Sequence, residues 1–283
     1  MASSGVQGIW RSCSRRRNDW ALLPAYHPGI RLVLASAWME LPKDCSATGL
    51  SLHDSGALDS GAQVKVYVGQ TRGKEWISLM ESHGFGEMVV RGEMPPRRKP
   101  WAFDNGAYRD WTAGRGFDAV SFLEDLETIW RYDGRPDFIV VPDMVAGGME
   151  SLRFSMHWMC RPELRRHKVP LYLAVQDGMT PVAVMDDLRH FQGIFVGGTL
   201  DFKLKSGRDW VDLAHQWGIP CHIGRAGTEN RVKWARRLGA TSIDSCLPLW
   251  SEENLARFSE DCTPASMSSG SEAQSAPLAT EAA

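Results

Sequence analysis

The sequence predicts a single-domain α/β protein, a TIM-type (β/α)8 barrel, and three observations predict it. Short apolar runs rich in β-branched residues alternate with segments of helical period, the pattern of parallel strands joined by crossover helices. Eight such runs can be counted, the number this barrel needs. From the third run onward their C-terminal ends are polar or glycine, and in such barrels chemistry collects at that end. A chain of 283 residues accommodates one barrel of about 250 residues with terminal extensions.

The runs read as strands are RLVLASA (31–37), VKVYVG (64–69), PWAFD (100–104), DFIVVPD (137–143), PLYLAVQ (170–176), GIFVGG (193–198), PCHIG (220–224) and TSIDS (241–245). Between them the helices are punctuated. Ser121 and Glu124 are spaced as a capping box before Phe122, Leu126, Ile129 and Trp130, which share one face, and Gly134 and Pro136 stop the helix. Thr180-Pro181 supplies a cap and a first-turn proline. TENRVKWARRLG opens on Thr228 and closes on Gly239. Residues 38–63 should hold the first crossover, yet they are polar and rich in Gly and Ser, with little helical signal. The barrel is assigned to 26–258, with a flexible basic arm at 1–25 and a disordered tail at 259–283 that lacks apolar periodicity.

Composition narrows the function classes. A formal net charge of -2 excludes polyelectrolyte-style binding over the whole surface but leaves local basic patches open. The six cysteines form no CxxC pair, so neither a disulfide framework nor a zinc ribbon is written here, and reduced thiols in a cytoplasmic setting are expected. No run reaches the roughly 18 apolar residues of a membrane span.

Asp104, Asp143, Gln176, Gly197-Gly198, Gly224 and Asp244 stand at six consecutive strand ends. Turn chemistry explains one or two of these. Three carboxylates and a carboxamide facing one mouth call for another reason, because like charges brought together cost stability. The Gly197-Gly198 pair suits close approach of a flat ligand to backbone N–H groups. The GRAGT loop (224–228) reads equally as a phosphate site at a helix N-terminus or a tight turn into a capped helix.

In order, FDNGAY, VVPDMV, LAVQDG, FVGGT, HIGRAGTENRVKWARRLGA and SIDSCLP resemble the successive strand-end motifs of the tRNA-guanine transglycosylases. They are most similar to the branch that installs 7-deazaguanines in phage and bacterial DNA. The resemblance runs from about residue 100 to 250. It implies that Asp244 is the nucleophile attacking C1′ of the target nucleoside, that Asp104 is the general acid/base, and that Tyr108 stacks on the bound base. It implies further that Asp143 holds the N1/N2 edge of guanine, that Gln176 and the Gly197-Gly198 backbone read the opposite edge, and that Ile223 is the apolar contact on the other face. The expected partners are DNA and a free 7-deazaguanine (preQ0-like) base.

The chemistry agrees. Exchange at a glycosidic carbon with retention needs a carboxylate nucleophile and a second acid/base nearby. Guanine's N–H groups want an acceptor pair and its O6 wants donors, which one Asp, one Gln and a bare glycine N–H supply.

Two departures from the family matter. The tRNA enzymes carry a zinc subdomain with a CxCxxC cluster, whereas only Cys246 and Cys262 follow Asp244 here, so no cofactor or metal of the family type is expected. Cys221, His222 and Cys246 are better read as core cysteines and a satisfied histidine. Where those enzymes have Pro-Thr-Arg and a basic tail, this chain has Pro248-Leu249-Trp250, which favours DNA over tRNA. Basic clusters Arg97-Arg98-Lys99 and Lys203, Lys205, Arg208 flank the third and sixth strands and are candidates for tracking phosphates. The same exchange on tRNA, a retaining nucleoside or glycoside hydrolase, and an inactive binding barrel are the alternatives.

Overall fold

The computed structural model describes residues 64–166 and 168–262. Eight parallel strands close a barrel in chain order. They are β1 (Lys65–Gly69), β2 (Gly86–Val90), β3 (Trp101–Asp104), β4 (Ile139–Val140), β5 (Leu171–Val175), β6 (Gly193–Val196), β7 (Cys221–Ile223) and β8 (Ser242–Asp244). Closure is made by β1 on β8, with Tyr67 opposite Asp244. Around the strands run α1 (Lys74–Ser82), α2 (Ala107–Thr112), α3 (Ala119–Arg131), α4 (Gly148–Met159), α5 (Pro162–Arg165), α6 (Pro181–Val184), α7 (Leu200–Gln216), α8 (Glu229–Leu238) and α9 (Glu252–Cys262). Among the described residues no helix is long and apolar enough to cross a membrane.

The barrel class is as expected, but its eight strands are not the eight read from the sequence. The run 31–37, the crossover 38–63 and the arm 1–25 lie outside the described residues, and the barrel closes without them. The missing place is taken by β2, GEMVV, which sequence reading overlooked because a glutamate interrupts a short run. Glu87 points outward, where Oε2 accepts the N–H groups of Arg97 and Arg98 at 2.8 and 2.7 Å. It thereby pins the segment Arg91–Pro100, which joins β2 to β3 without a helix.

Two further boundaries are corrected. The cap of α3 is Asp118, whose side chain accepts the N–H of Ser121 at 3.1 Å, so the helix starts a turn before the expected box. The chain stays helical to Cys262 instead of loosening at 259, because α9 buries Leu255 and Phe258. The caps at Thr180 and Thr228 and the left-handed Gly239 are as expected.

Side-chain alternation sorts the core into two layers. Val66 and Val68 of β1, and Leu171, Leu173 and Val175 of β5, face the helices in the larger cluster. Tyr67, Met88, Ala102, Phe138, Val140, Tyr172, Ala174 and Phe195 form a second cluster that fills the barrel axis. Phe138 stacks on Tyr172 with ring centroids 4.1 Å apart. Glycines leave room for these rings: a Cβ at Gly193 would lie 2.4 Å from Tyr172 Cε1 on the neighbouring strand. At the N-terminal end, Asp137 Oδ2 accepts from both Lys65 Nζ and Tyr67 Oη at 2.7 Å and closes the floor.

Overpacking of this axis gives a direct test. Gly193→Ala should lower unfolding free energy by about 1–3 kcal/mol in urea titration. Gly116→Ala, where nothing lies within 4 Å, should stay within about 0.5 kcal/mol of the parent. Equal stabilities for the two variants would contradict the packing described.

Candidate active site

The rule that fills the axis also aims the strand ends. Asp104 follows the inward Ala102, Gln176 follows Ala174, and Asp244 follows Ser242, each two residues on. All three therefore reach the axis at the C-terminal mouth. Asp244 Oδ1 accepts two hydrogen bonds, from His222 Nε2 and from the Arg225 N–H, both at 2.9 Å. Its Oδ2 accepts none among the described residues. His222 is fully buried, stacks on Phe195 at 4.8 Å, and has its Nδ1 2.9 Å from Ser242 Oγ. Nε2 donates to the carboxylate, and Nδ1 shares its hydrogen bond with the serine hydroxyl. Burial works to raise the Asp244 carboxyl, but the His222 hydrogen bond and charge, the Arg225 N–H and the Lys203 charge together hold it below the usual carboxylate range. The side chain is 17% exposed, so a free oxygen of an ionised carboxylate faces the mouth.

Asp104 behaves oppositely. Burial pushes its carboxyl up and the charge of Asp244 adds to this, against one hydrogen bond that Oδ1 accepts from the Gly106 N–H at 2.7 Å. Asp143, 5% exposed, is held by two amides. Oδ1 accepts from Asn105 Nδ2 at 2.8 Å and Oδ2 accepts from Gln176 Nε2. Burial pushes its carboxyl up to about 7, opposed by Asn105 and reinforced by the charge of Asp104. Asp143 and Gln176 thus set an acceptor beside a donor on one wall.

The glycine pair plays a narrower part than expected. The Gly197 N–H is already given to Val175 O at 3.1 Å. The buried Gly198 N–H donates to nothing among the described residues and remains as a donor. Gly198 has φ +70, and a Cβ there would lie 2.4 Å from Asp177 Oδ2. Tyr108 is at the mouth, with the Arg225 guanidinium 3.6 Å above its ring. One face expected to receive a base is covered by that cation.

Several predicted residues are elsewhere. Ile223 belongs to the outer core, since β7 turns His222 inward and Ile223 away from the axis. Arg97, Arg98 and Lys99 precede β3 and so lie at the end of the barrel opposite Asp104: a residue entering a strand and one leaving it are a strand length apart. Arg98 is buried at 3% exposure and Lys99 lies over Tyr132, at the end of α3. Lys205 is ion-paired to Asp201 at 2.8 Å, and Arg208 donates to the carbonyls of Leu238 and Arg237. Of the basic set only Lys203 reaches the mouth, and as a buried group. Its Nζ donates to Gly224 O, and burial pushes it down to about 7, with the Arg225 charge adding.

The GRAGT loop is a tight turn. The N–H groups of Gly224, Arg225, Ala226 and Gly227 go to Val196 O, Asp244 Oδ1, Asp244 O and Arg225 O. No row of free donors remains for a phosphate. Cys221 is buried in the outer core, facing away from the inward His222, whereas Cys246 is exposed and is not the core cysteine expected. Among the described residues no group of three or more His, Cys, Asp or Glu side chains is arranged to hold a metal.

Sequence reading missed Asn105, His222 and Arg225 as members of the site. Alternation along PCHIG was the available signal for His222. Comparison of the chain with protein-family models and with curated proteins finds no match. What the fold and site define is a (β/α)8 barrel with three carboxyls of unequal proton affinity at its C-terminal mouth.

Two outcomes are expected. A carboxyl raised by burial stabilises the fold below its unfolded value and loses that contribution as pH climbs through the folded one. The stability of Asp143→Asn relative to wild type should therefore rise between pH 4 and about 7, by an amount on the order of 4 kcal/mol, then level off in urea titrations. A flat difference across that window would remove the buried acid. For His222, replacement by Phe keeps the ring stack but removes the donor. Asp244 should then titrate higher, read by carboxyl carbon NMR of protein labelled at Asp; an unmoved titration would make His222 packing alone.

Proposed function

We propose that the protein is a DNA-guanine transglycosylase, exchanging guanine for a 7-deazaguanine base through a covalent aspartyl–nucleoside intermediate. The observation that carries this reading is the opposed state of two carboxyls in one mouth. Asp244 is held ionised with Oδ2 free, and Asp104 is held toward its protonated form. Environments that push two carboxyls apart in this way assign nucleophile and acid. Asp244 Oδ2 attacks C1′ and the C1′–N9 bond breaks, while its electron pair leaves with guanine, which takes the Asp104 proton. The incoming base then gives its ring N–H proton to Asp104 as that nitrogen attacks C1′ and expels Asp244. Two displacements retain configuration.

Recognition of the base is supported by the paired Asp143 and Gln176. An ionised Asp143 accepts the N1–H and N2–H₂ of guanine, and the remaining hydrogen of Gln176 Nε2, with the Gly198 N–H, reaches toward O6. The preference for DNA rests on the resemblance to the DNA-modifying branch and on Pro248-Leu249-Trp250 in place of Pro-Thr-Arg. It no longer draws on Arg97, Arg98 and Lys99, which sit at the far end of the barrel. A target guanine must be flipped out or met in single strands, at a cost of a few kcal/mol in a duplex.

The test offers equal amounts of DNA and tRNA with a labelled 7-deazaguanine base. DNA is expected to take the label, and Asp244→Asn is expected to lose at least about 10³-fold in rate together with any trapped protein–DNA adduct. An adduct that survives in this variant, or label entering neither polymer, would overturn the mechanism, whereas label in tRNA would overturn the DNA assignment alone. Because Asp143 must be ionised to accept two N–H donors, affinity for free guanine should strengthen as pH rises through about 7, and Asp143→Asn should abolish that dependence.

A further inference from the structure

None of the six basic residues singled out in the sequence offers a free cation at the mouth, yet a nucleic acid approaching three carboxyls needs one there. One side chain answers that need. Arg225 follows β7, is exposed, and its backbone N–H is bound to Asp244 Oδ1 at 2.9 Å. The next N–H, of Ala226, goes to Asp244 O at 2.8 Å, so the arginine is tied to the candidate nucleophile through two backbone bonds. Its φ is +56, a conformation unfavourable for a non-glycine residue that persists where the surroundings impose it. The guanidinium carbon lies over Tyr108, 3.6 Å from the ring centroid, and its N–H groups donate to nothing among the described residues. Its charge acts on Asp104, Asp143 and Lys203, although it forms no ion pair with either carboxylate. A guanidinium seated over a ring with an unused donor fork is suited to bidentate capture of an oxyanion.

We infer that Arg225 binds a backbone phosphate of the nucleotide whose base enters the mouth, and that it leaves the face of Tyr108 as the base arrives. This rests on the transglycosylase reading and narrows its substrate to a phosphate-bearing nucleotide, as opposed to a free nucleoside. The two halves are coupled. The ring that a base would stack on is covered in the empty site, and the cation that uncovers it gains a phosphate in exchange. Removing Arg225 therefore has opposite consequences for the two parts of the substrate.

The test uses the full-length chain with two probes, a fluorescent oligothymidylate that contains no guanine and free guanine base. Arg225→Gln should weaken oligothymidylate binding by about 10- to 100-fold and reduce its salt slope by about one. At a pH well above 7, where Asp143 is ionised with or without the arginine, the same variant should bind guanine as well as wild type or better. Arg225→Gly, which relieves the positive φ, should behave alike and guards against a folding defect. Oligothymidylate binding unchanged in both variants, or undetectable in wild type, would overturn the inference. Weaker guanine binding with oligothymidylate unaffected would also overturn it, by making the guanidinium a stacking surface for the base. Loss of oligothymidylate binding in a protein whose wild type binds no guanine would uphold the phosphate site and sink the guanine reading.

Discussion

In a closed parallel barrel the residue that ends a strand has two directions open to it, toward the axis or toward the helices, and alternation decides which. Every feature of the mouth depends on that choice. The inward register that stacks Tyr67, Phe138, Tyr172 and Phe195 along the axis continues into Asp104, Gln176 and Asp244. A slip of one residue would carry the carboxyls into the apolar layer between strands and helices and swing Val175 or Ile243 into the mouth. The aromatic filling and the polar mouth are one pattern, and the close fit of Tyr172 against Gly193 keeps it in register.

Bringing three carboxyls to one place is unfavourable, and the protein distributes that cost unevenly. Asp244 receives the donors: an imidazole held by Ser242, a backbone N–H, and the nearby Lys203 charge. Asp104 receives one N–H and the repulsion of its neighbour, with the Arg225 and His222 charges as the smaller opposing influences. Asp143 lies between, held by two amides yet raised by burial. The imbalance makes the groups chemically different, since an array with equal proton affinities would have no carboxyl that stays ionised beside one that keeps its proton.

The strand ends were legible because polar residues at the close of apolar runs mark the catalytic face of this fold. Asp104, Asp143, Gln176 and Asp244 therefore meet as read. What failed were inferences from neighbourhood along the chain. Arg97, Arg98 and Lys99 are a few residues from Asp104 in sequence and a strand length from it in space, because the chain enters β3 at the floor. Ile223 adjoins His222, and adjacency places it on the other side of the sheet. The strand β2 was hidden by Glu87, whose role is to hold the helix-free connection after it. Arg225 gave no signal because its position depends on a positive φ that nothing in GRAGT announces.

Helix α7 has a consequence beyond the mouth. Near its start Lys203 grips Gly224 O, a turn later Arg208 grips the last carbonyls of α8, and between them Gly207 lets Trp234 pack so closely that a Cβ would lie 2.8 Å from the indole. The span from β6 to β8 is thereby fastened across its length and should open as one foldon instead of strand by strand. A change at Gly207 or Trp234 touches no candidate catalytic atom, yet it loosens the turn that orients Asp244. Packing between α7 and α8 is therefore tied to the geometry of the mouth by mechanics alone.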